Sequence, residues 1–234
     1  MTSKTTSKPK RLVVAIDGPS GAGKSTISKI LAARLHFTYI DTGAMYRCVA
    51  LEAKKQHIAV DDEAALARLC REIDIRFQWE GKTNRVFCNG EEVTEEIRTP
   101  EMDMLSSAVS AVPAVREALV AMQRRMGEKG PVILEGRDAG TVIFPQAEVK
   151  VYLDASPQVR GRRRFLEQQQ RGLSGSLEQV IEEIRKRDLN DSSRAHSPLA
   201  QAADAHHLDT TGMDIPEVVE AITELIREKA GNGD

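Results

Sequence analysis

Cysteine is scarce in this 234-residue chain, and the three present, Cys48, Cys70 and Cys88, form no C-x-x-C pair. An odd, scattered set argues against a disulfide framework and against a zinc knuckle, so a reducing compartment is the simpler setting. Aromatic residues make up only 4% of the chain, which demands an aliphatic core and leaves little for base-stacking platforms of the single-strand-binding kind. Long apolar runs are missing as well. The run Leu12–Ile16 falls far short of the roughly 20 apolar residues a membrane helix needs. Neither sign of charge dominates: 33 Lys and Arg against 35 Asp and Glu leave a net charge of -2, with no global field for gripping nucleic acid. Any anion site must therefore be local. Residues 1–11 are polar and basic without an apolar stretch, so they read as a flexible tail rather than a secretory signal, and the expected location is the cytoplasm.

Five short aliphatic or β-branched runs, Leu12–Asp17, Phe37–Asp41, Val132–Glu135, Val149–Asp154 and His206–Asp209, alternate with helical stretches. That alternation predicts an α/β fold, a five-stranded parallel sheet flanked by helices. Each run ends in an acid, which gathers Asp17, Asp41, Glu135 and Asp154 at the carboxyl edge where open α/β sheets bind ligands. Between residues 61 and 100 the pattern changes. A helix over Asp62–Glu72 gives way to strands Ile73–Trp79 and Arg85–Cys88, joined by Glu80-Gly81-Lys82-Thr83-Asn84, a hairpin-containing insertion into a core of 12–60 and 101–234. Helices are then expected over Glu101–Ser110, over Ala114–Met126 with Pro113 at its start and Gly127 and Gly130 beyond its end, and over Ile215–Lys229.

The segment Gly18-Pro19-Ser20-Gly21-Ala22-Gly23-Lys24-Ser25 matches G-x-x-x-x-G-K-[ST], directly after the first strand and before a helix opening at Thr26. Phosphate oxygens need many donors at short range, and backbone amides supply them only where side chains do not obstruct. The helix that follows adds its positive N-terminal end. Lys24 is placed to reach the outer phosphates as a point charge, and the Ser25 hydroxyl to coordinate magnesium. A nucleoside triphosphate is the natural ligand. No N-K-x-D guanine-reading tetrapeptide occurs, and little length remains for a motor ATPase, so a small-molecule kinase leads.

Two further loops leave strand ends. Asp41-Thr42-Gly43-Ala44-Met45-Tyr46-Arg47 opens a helix, with Arg47 either facing the cradle to hold an anion or exposed behind an ordinary N-cap. Glu135-Gly136-Arg137-Asp138-Ala139-Gly140-Thr141 places an Arg–Asp pair between glycines, a site or a surface ion pair. Arg187, Asp191 and Arg194 share one helical face by spacing, where surface pairs are equally natural; Ser107 and Arg116 read as helix-surface residues. Arg160, Arg162, Arg163 and Arg164 open a helix that leaves through Gly172, Ser174 and Gly175, either a mobile lid over 157–175 or a solvated basic helix.

Gly18–Thr26, Asp41–Arg47, Gly136–Pro145 with Lys150, and Arg187–Arg194 followed by Ser197-Pro198-Leu199 closely resemble the bacterial cytidylate kinases of the P-loop nucleoside monophosphate kinase group. The likeness runs from Leu12 through nearly the whole chain, and its most specific parts are the stretch Gly136–Pro145 and the hairpin insertion. It implies phosphoryl transfer from ATP to CMP or dCMP. Residues Gly18–Thr26 would hold ATP, with Ser25 as the magnesium ligand. Ser20, Arg47 and Arg137 would hold the acceptor phosphate, while Ser107, Arg116 and Asp138 read the base. Asp41, Thr42 and Tyr46 would complete the acceptor site. Arg187 and Asp191 would contact the sugar, and Arg194, with the lid arginines Arg160, Arg163 and Arg164 and with Lys24, would meet the transferring group; Arg162 matches no position of the pattern. The resemblance further implies a monomer. Glu135 is open between a water-mediated magnesium support and a structural ion pair. A kinase for UMP or AMP, or an ATP-dependent switch, remain the alternatives. The five histidines show no metal-binding pair and the cysteines read as packed thiols.

Overall fold

The computed structural model describes residues 12–81, 83–128 and 130–231; the expected tail lies outside the described residues. Five strands form one parallel sheet: β1 (Val13–Asp17), β2 (Thr38–Asp41), β6 (Val132–Gly136), β7 (Val149–Asp154) and β8 (His206–Asp209), in the order β2-β6-β1-β7-β8. Three short strands, β3 (Ile75–Glu80), β4 (Thr83–Cys88) and β5 (Glu91–Glu92), make a separate antiparallel sheet. The helices are α1 (Lys24–Leu35), α2 (Thr42–Lys55), α3 (Glu63–Glu72), α4 (Pro100–Val109), α5 (Pro113–Gly127), α6 (Pro157–Gln170), α7 (Leu177–Ser192) and α8 (Ile215–Gly231), with a π-helical turn at Ala139–Ile143.

Alternation along β1 sends Val13 and Ala15 into a core with α2, α5 and the hairpin, and Val14 and Ile16 into a second core with α1 and α8. Both faces of the sheet are thus covered, which is why its strands lack a polar side. The strands are laid to both sides of β1, β2 and β6 on one side and β7 and β8 on the other, all running the same way. The loop after β1 therefore opens into a crevice at the carboxyl edge.

The insertion does not form a core of its own. Ile75, Val86, Cys88, Val93 and Ile97 join Met45, Cys48 and Val49 of α2 in one apolar cluster. Trp79 of β3 tilts against Tyr39 of the edge strand β2, ring centroids 6.3 Å apart. The hairpin closes more tightly than the sequence predicts: β3 starts later, at Ile75, but runs on to Glu80, β4 begins two residues earlier, at Thr83, and Glu80 pairs with Thr83 across a turn in which Gly81 takes φ 59° and Lys82 lies outside the described residues.

Three of the boundaries that differ bear on packing or on the site. Gly127 belongs to α5 rather than following it, because the Phe144 ring occupies the space a side chain would need; a Cβ there would stand 2.5 Å from Phe144 Cζ. Asp62 caps α3 rather than joining it, accepting the Ala65 N–H at 2.9 Å. Helix α7 ends at Ser192, so Arg187 and Asp191 share its face while Arg194 stands beyond the end and folds back onto Asp191.

Candidate active site

The loop after β1 is held from three directions. Gly18 has φ +149°, and a Cβ there would lie 2.0 Å from the Leu153 carbonyl oxygen of β7. Gly21 sits against α6, where a Cβ would come within 2.8 Å of the Arg160 carbonyl oxygen. Gly23, the αL residue before α1, faces open space. Two of the three glycines thus answer to the protein's own backbone, and the third leaves the cradle clear for a ligand. The Ser20 N–H donates to Asp188 at 2.9 Å and the Ser20 carbonyl accepts from Arg160 at 2.8 Å, so α6 and α7 pin the loop between them.

Lys24 is buried and its Nζ donates to the Pro19 carbonyl at 2.7 Å. Burial, reinforced by the nearby Arg137 guanidinium, pulls its pKa from 10.5 down to about 7. Glu135 at the end of β6 is buried, accepts the Tyr39 hydroxyl, and is pushed upward by burial and by Asp41, against the pull of Lys24 and of a hydrogen bond from Ser25. No group of three acidic, His or Cys side chains able to hold a metal exists among the described residues. Ser25 with one neighbouring carboxylate fits a magnesium ion that takes its other ligands from nucleotide phosphates and water, and fits no dedicated protein cage.

At the other end, Asp41 caps α2 through the Ala44 N–H at 2.8 Å and pairs with Arg98 at 2.5 Å. Burial would raise Asp41, yet Arg98 and Arg47 overcome it and hold the pKa down at about 2. The Thr42 hydroxyl donates to the Glu135 carbonyl at 2.5 Å. Asp17 accepts the N–H groups of Ala139 and Gly140 at 2.7 Å each, fixing the turn that carries Arg137 and Asp138. Burial raises Asp17 to about 6 in spite of those two bonds. Arg116 and Asp138 form a buried ion pair over the Tyr46 ring, with the guanidinium 5.5 Å from its centroid. Arg116 is 5% exposed, which removes the surface reading. Arg137 donates to Asp191 at 2.7 Å, and Arg194 pairs with the same carboxylate and reaches Ser107 at 3.5 Å.

One cavity of about 950 Å³ joins these groups, lined by the cradle with Met213, Ile215 and Pro216, and also by Tyr46, Arg116 and Asp138. Among the described residues, Tyr46 Oη, Arg116 Nε and Arg187 Nε are buried without a hydrogen-bond partner, and all three belong to residues lining it. Buried polar atoms left open at a cavity wall mark places where a ligand completes the bonding. The sequence model of the family described as cytidylate kinase matches residues 14–228. The chain belongs to the cytidylate kinase family. Two similar proteins carry the name cytidylate kinase: one from a Geobacter species, 54% identical over 95% of this chain and 96% of its own, and one from Enterococcus faecalis, 47% identical over 94% and 97%. A crystal structure of an uncharacterized protein from Eubacterium ventriosum shares the fold at TM-score 0.51, with 11% identity over 92% of this chain and 98% of that one.

Within this cytidylate kinase family member, the expected site residues separate into two groups. Ser20 to Thr26, Asp41, Thr42, Tyr46, Arg47, Ser107, Arg116, Arg137, Asp138, Arg163, Arg164, Arg187, Asp191 and Arg194 line this cavity, whereas Gly18 and Pro19, expected with the cradle, are not among its lining residues. Arg160, grouped by sequence with the lid arginines, is instead 6% exposed beneath the loop, bonded to Ala155, Ser20 and Asp188. Arg163 takes a different place, bonded to the Thr210 carbonyl at 2.8 Å after β8. Sequence reasoning missed Asp188, Arg98 and Asp103. Asp188 lies within the motif stretch Arg187–Arg194, but its partners are 28 and 168 residues away.

Proposed function

We propose that the chain transfers the terminal phosphoryl group of ATP to CMP or dCMP, giving ADP and CDP or dCDP. The observation that carries this reading is the cavity itself, whose one lining brings together an open phosphate cradle, a buried Arg116–Asp138 pair, and Arg47, Arg137, Arg187 and Arg194. Cytosine presents an amino donor beside ring and carbonyl acceptors, and a carboxylate with a guanidinium satisfies that edge. Uracil would turn a carbonyl toward Asp138, leaving an unpaired buried acceptor at a cost of about 1–3 kcal/mol. In this reading Ser20, Arg47 and Arg137 hold the acceptor phosphate, and Arg187 and Asp191 hold its sugar. Asp191 accepting sugar hydroxyls tolerates ribose and deoxyribose.

An acceptor phosphate oxygen attacks the γ-phosphorus in line as the bond to the β-phosphate oxygen breaks and ADP leaves. No general base is needed, because a phosphate monoester with its second pKa near 6 is already largely dianionic at neutral pH. The obstacle is mutual repulsion of two anions, which Lys24, Arg163 and Arg194 offset at the transferring group. Magnesium bound through Ser25 with the nucleotide would supply further positive charge at the phosphates. The segment 61–100 serves in this account as the acceptor-binding insertion and 157–175 as the lid that excludes water. Arg160 supports the loop rather than touching phosphate. The reading extends to a cytoplasmic monomer, consistent with three unpaired, buried cysteines and with no single described helix long and apolar enough to span a membrane. Chromatography of nucleotides after incubation with ATP, magnesium and CMP tests it: CDP and ADP should appear in equal amounts, and absence of CDP would end the proposal.

A further inference from the structure

Asp103 lies on α4, outside every motif, yet three arginines from three other helices converge on its carboxylate. Arg47 of α2 donates Nε at 2.9 Å and Nη2 at 2.7 Å to Oδ1. Arg164 of α6 donates Nη2 to Oδ2 and Nη1 to Glu167 at 2.9 Å. Arg187 of α7 brings Nη1 to 3.6 Å from Oδ1. All three arginines line the cavity. Arg47 uses one edge on Asp103, which leaves Nη1 beside Gly43, where an added methyl group would stand 3.2 Å from it. A second link joins the same two sides of the cavity, the Arg171 guanidinium donating to the Arg98 carbonyl at 3.1 Å.

We infer that Asp103 is a positioning residue: it holds Arg47, Arg164 and Arg187 converged before substrate arrives, so that an incoming acceptor nucleotide meets guanidinium edges already oriented, Arg47 toward its phosphate and Arg187 toward its sugar. The reason is electrostatic. Three cations crowded into a partly desolvated space repel one another and drift apart unless an anion sits among them. Asp103 provides that anion from behind, on the Nε side of Arg47, and keeps the Nη1 edge for the ligand. The burial of Asp103 is offset by these same arginines, which hold its carboxyl well below the ordinary range. The opposite role, in which the carboxylate occupies the phosphate's own place, predicts the reverse sign of effect, so the two are separable by measurement.

The inference rests on the acceptor being a nucleoside monophosphate, and unsubstituted protein turning over CMP with ATP tests that premise by itself. Steady-state kinetics of Asp103→Asn and Asp103→Ala then test Asp103. The acceptor KM should rise about tenfold or more, since truncating one partner of a buried charge cluster frees the others. The KM for ATP and kcat should stay within about threefold, because the cradle is held separately by Asp188 and Arg160. In a double-mutant cycle, adding Arg47→Lys to Asp103→Asn should cost less than the two changes summed. Unfolding midpoints of the variants show whether each is folded, and the near-isosteric Asp103→Asn serves if Asp103→Ala does not fold. An acceptor KM that is unchanged or lowered, or a rise of acceptor and donor KM together, would overturn the inference.

Discussion

Lys24 is the residue whose charge depends most on what the cavity holds. Its pKa of about 7 in the free protein lies below the ordinary 10.5, through burial first and Arg137 second. Between those values the unfolded chain binds a proton that the folded chain lacks, so this group's contribution to stability rises with pH from about 7 to 10.5 and is least favourable below 7. Bound phosphates reverse the shift by restoring a partner for the ammonium. At pH 8, ATP binding should therefore take up a fraction of a proton, read by calorimetry in buffers of different ionisation enthalpy, and Lys24→Met should abolish the uptake. Arg194→Ala removes the guanidinium expected at the transferring group and should lower kcat for CMP with ATP by about a thousandfold or more, read as ADP release. Asp138→Asn keeps shape but loses the charge facing Arg116, and should narrow the ratio of kcat/KM for CMP over UMP. Asp138→Ala leaves a buried arginine unpaired and should also destabilise the fold by about 3–5 kcal/mol, measured by denaturant unfolding.

At the scale of elements, α6 and α7 do more than carry arginines. Gly161 lets the two helices meet, since a Cβ there would stand 2.3 Å from Ile181 Cγ1, and through Arg160 and Asp188 the pair grips both backbone groups of Ser20. Gly161→Ala should cost about 1–3 kcal/mol in chemical denaturation and depress turnover by shifting Arg163. The cradle, the strand-end acids and the Arg137–Asp138 turn were legible in sequence because each is a short local pattern bounded by a strand and a helix. The division of labour within Arg160–Arg164 was not, because these residues share one helix and one composition. What separates Arg160 from Arg163 is the loop that α6 packs against, and no spacing encodes it. Asp103 and Asp188 were hidden for the same reason: an acid inside a polar helical stretch has no periodic signature, and its partners lie dozens of residues away. The hairpin was legible, but its two-residue turn and its sharing of the α2 core arise from pairing and packing.

Across the whole molecule, a parallel sheet brings five strand ends to one edge, and the switch in strand order from one side of β1 to the other opens the crevice there. One cavity of about 950 Å³ is lined both by the loop Ser20–Ser25 and by the buried Arg116–Asp138 pair. The central claim is that this cavity delivers an ATP phosphoryl group to a monophosphate chosen by its cytosine edge. Coupled ADP release, with CMP, dCMP, UMP and AMP offered separately to the same enzyme, tests it most directly. The account predicts rapid turnover of CMP and dCMP, with UMP poorer by about one to a few powers of ten in kcat/KM. Equal turnover of UMP and CMP, or ADP release independent of any acceptor, would contradict it.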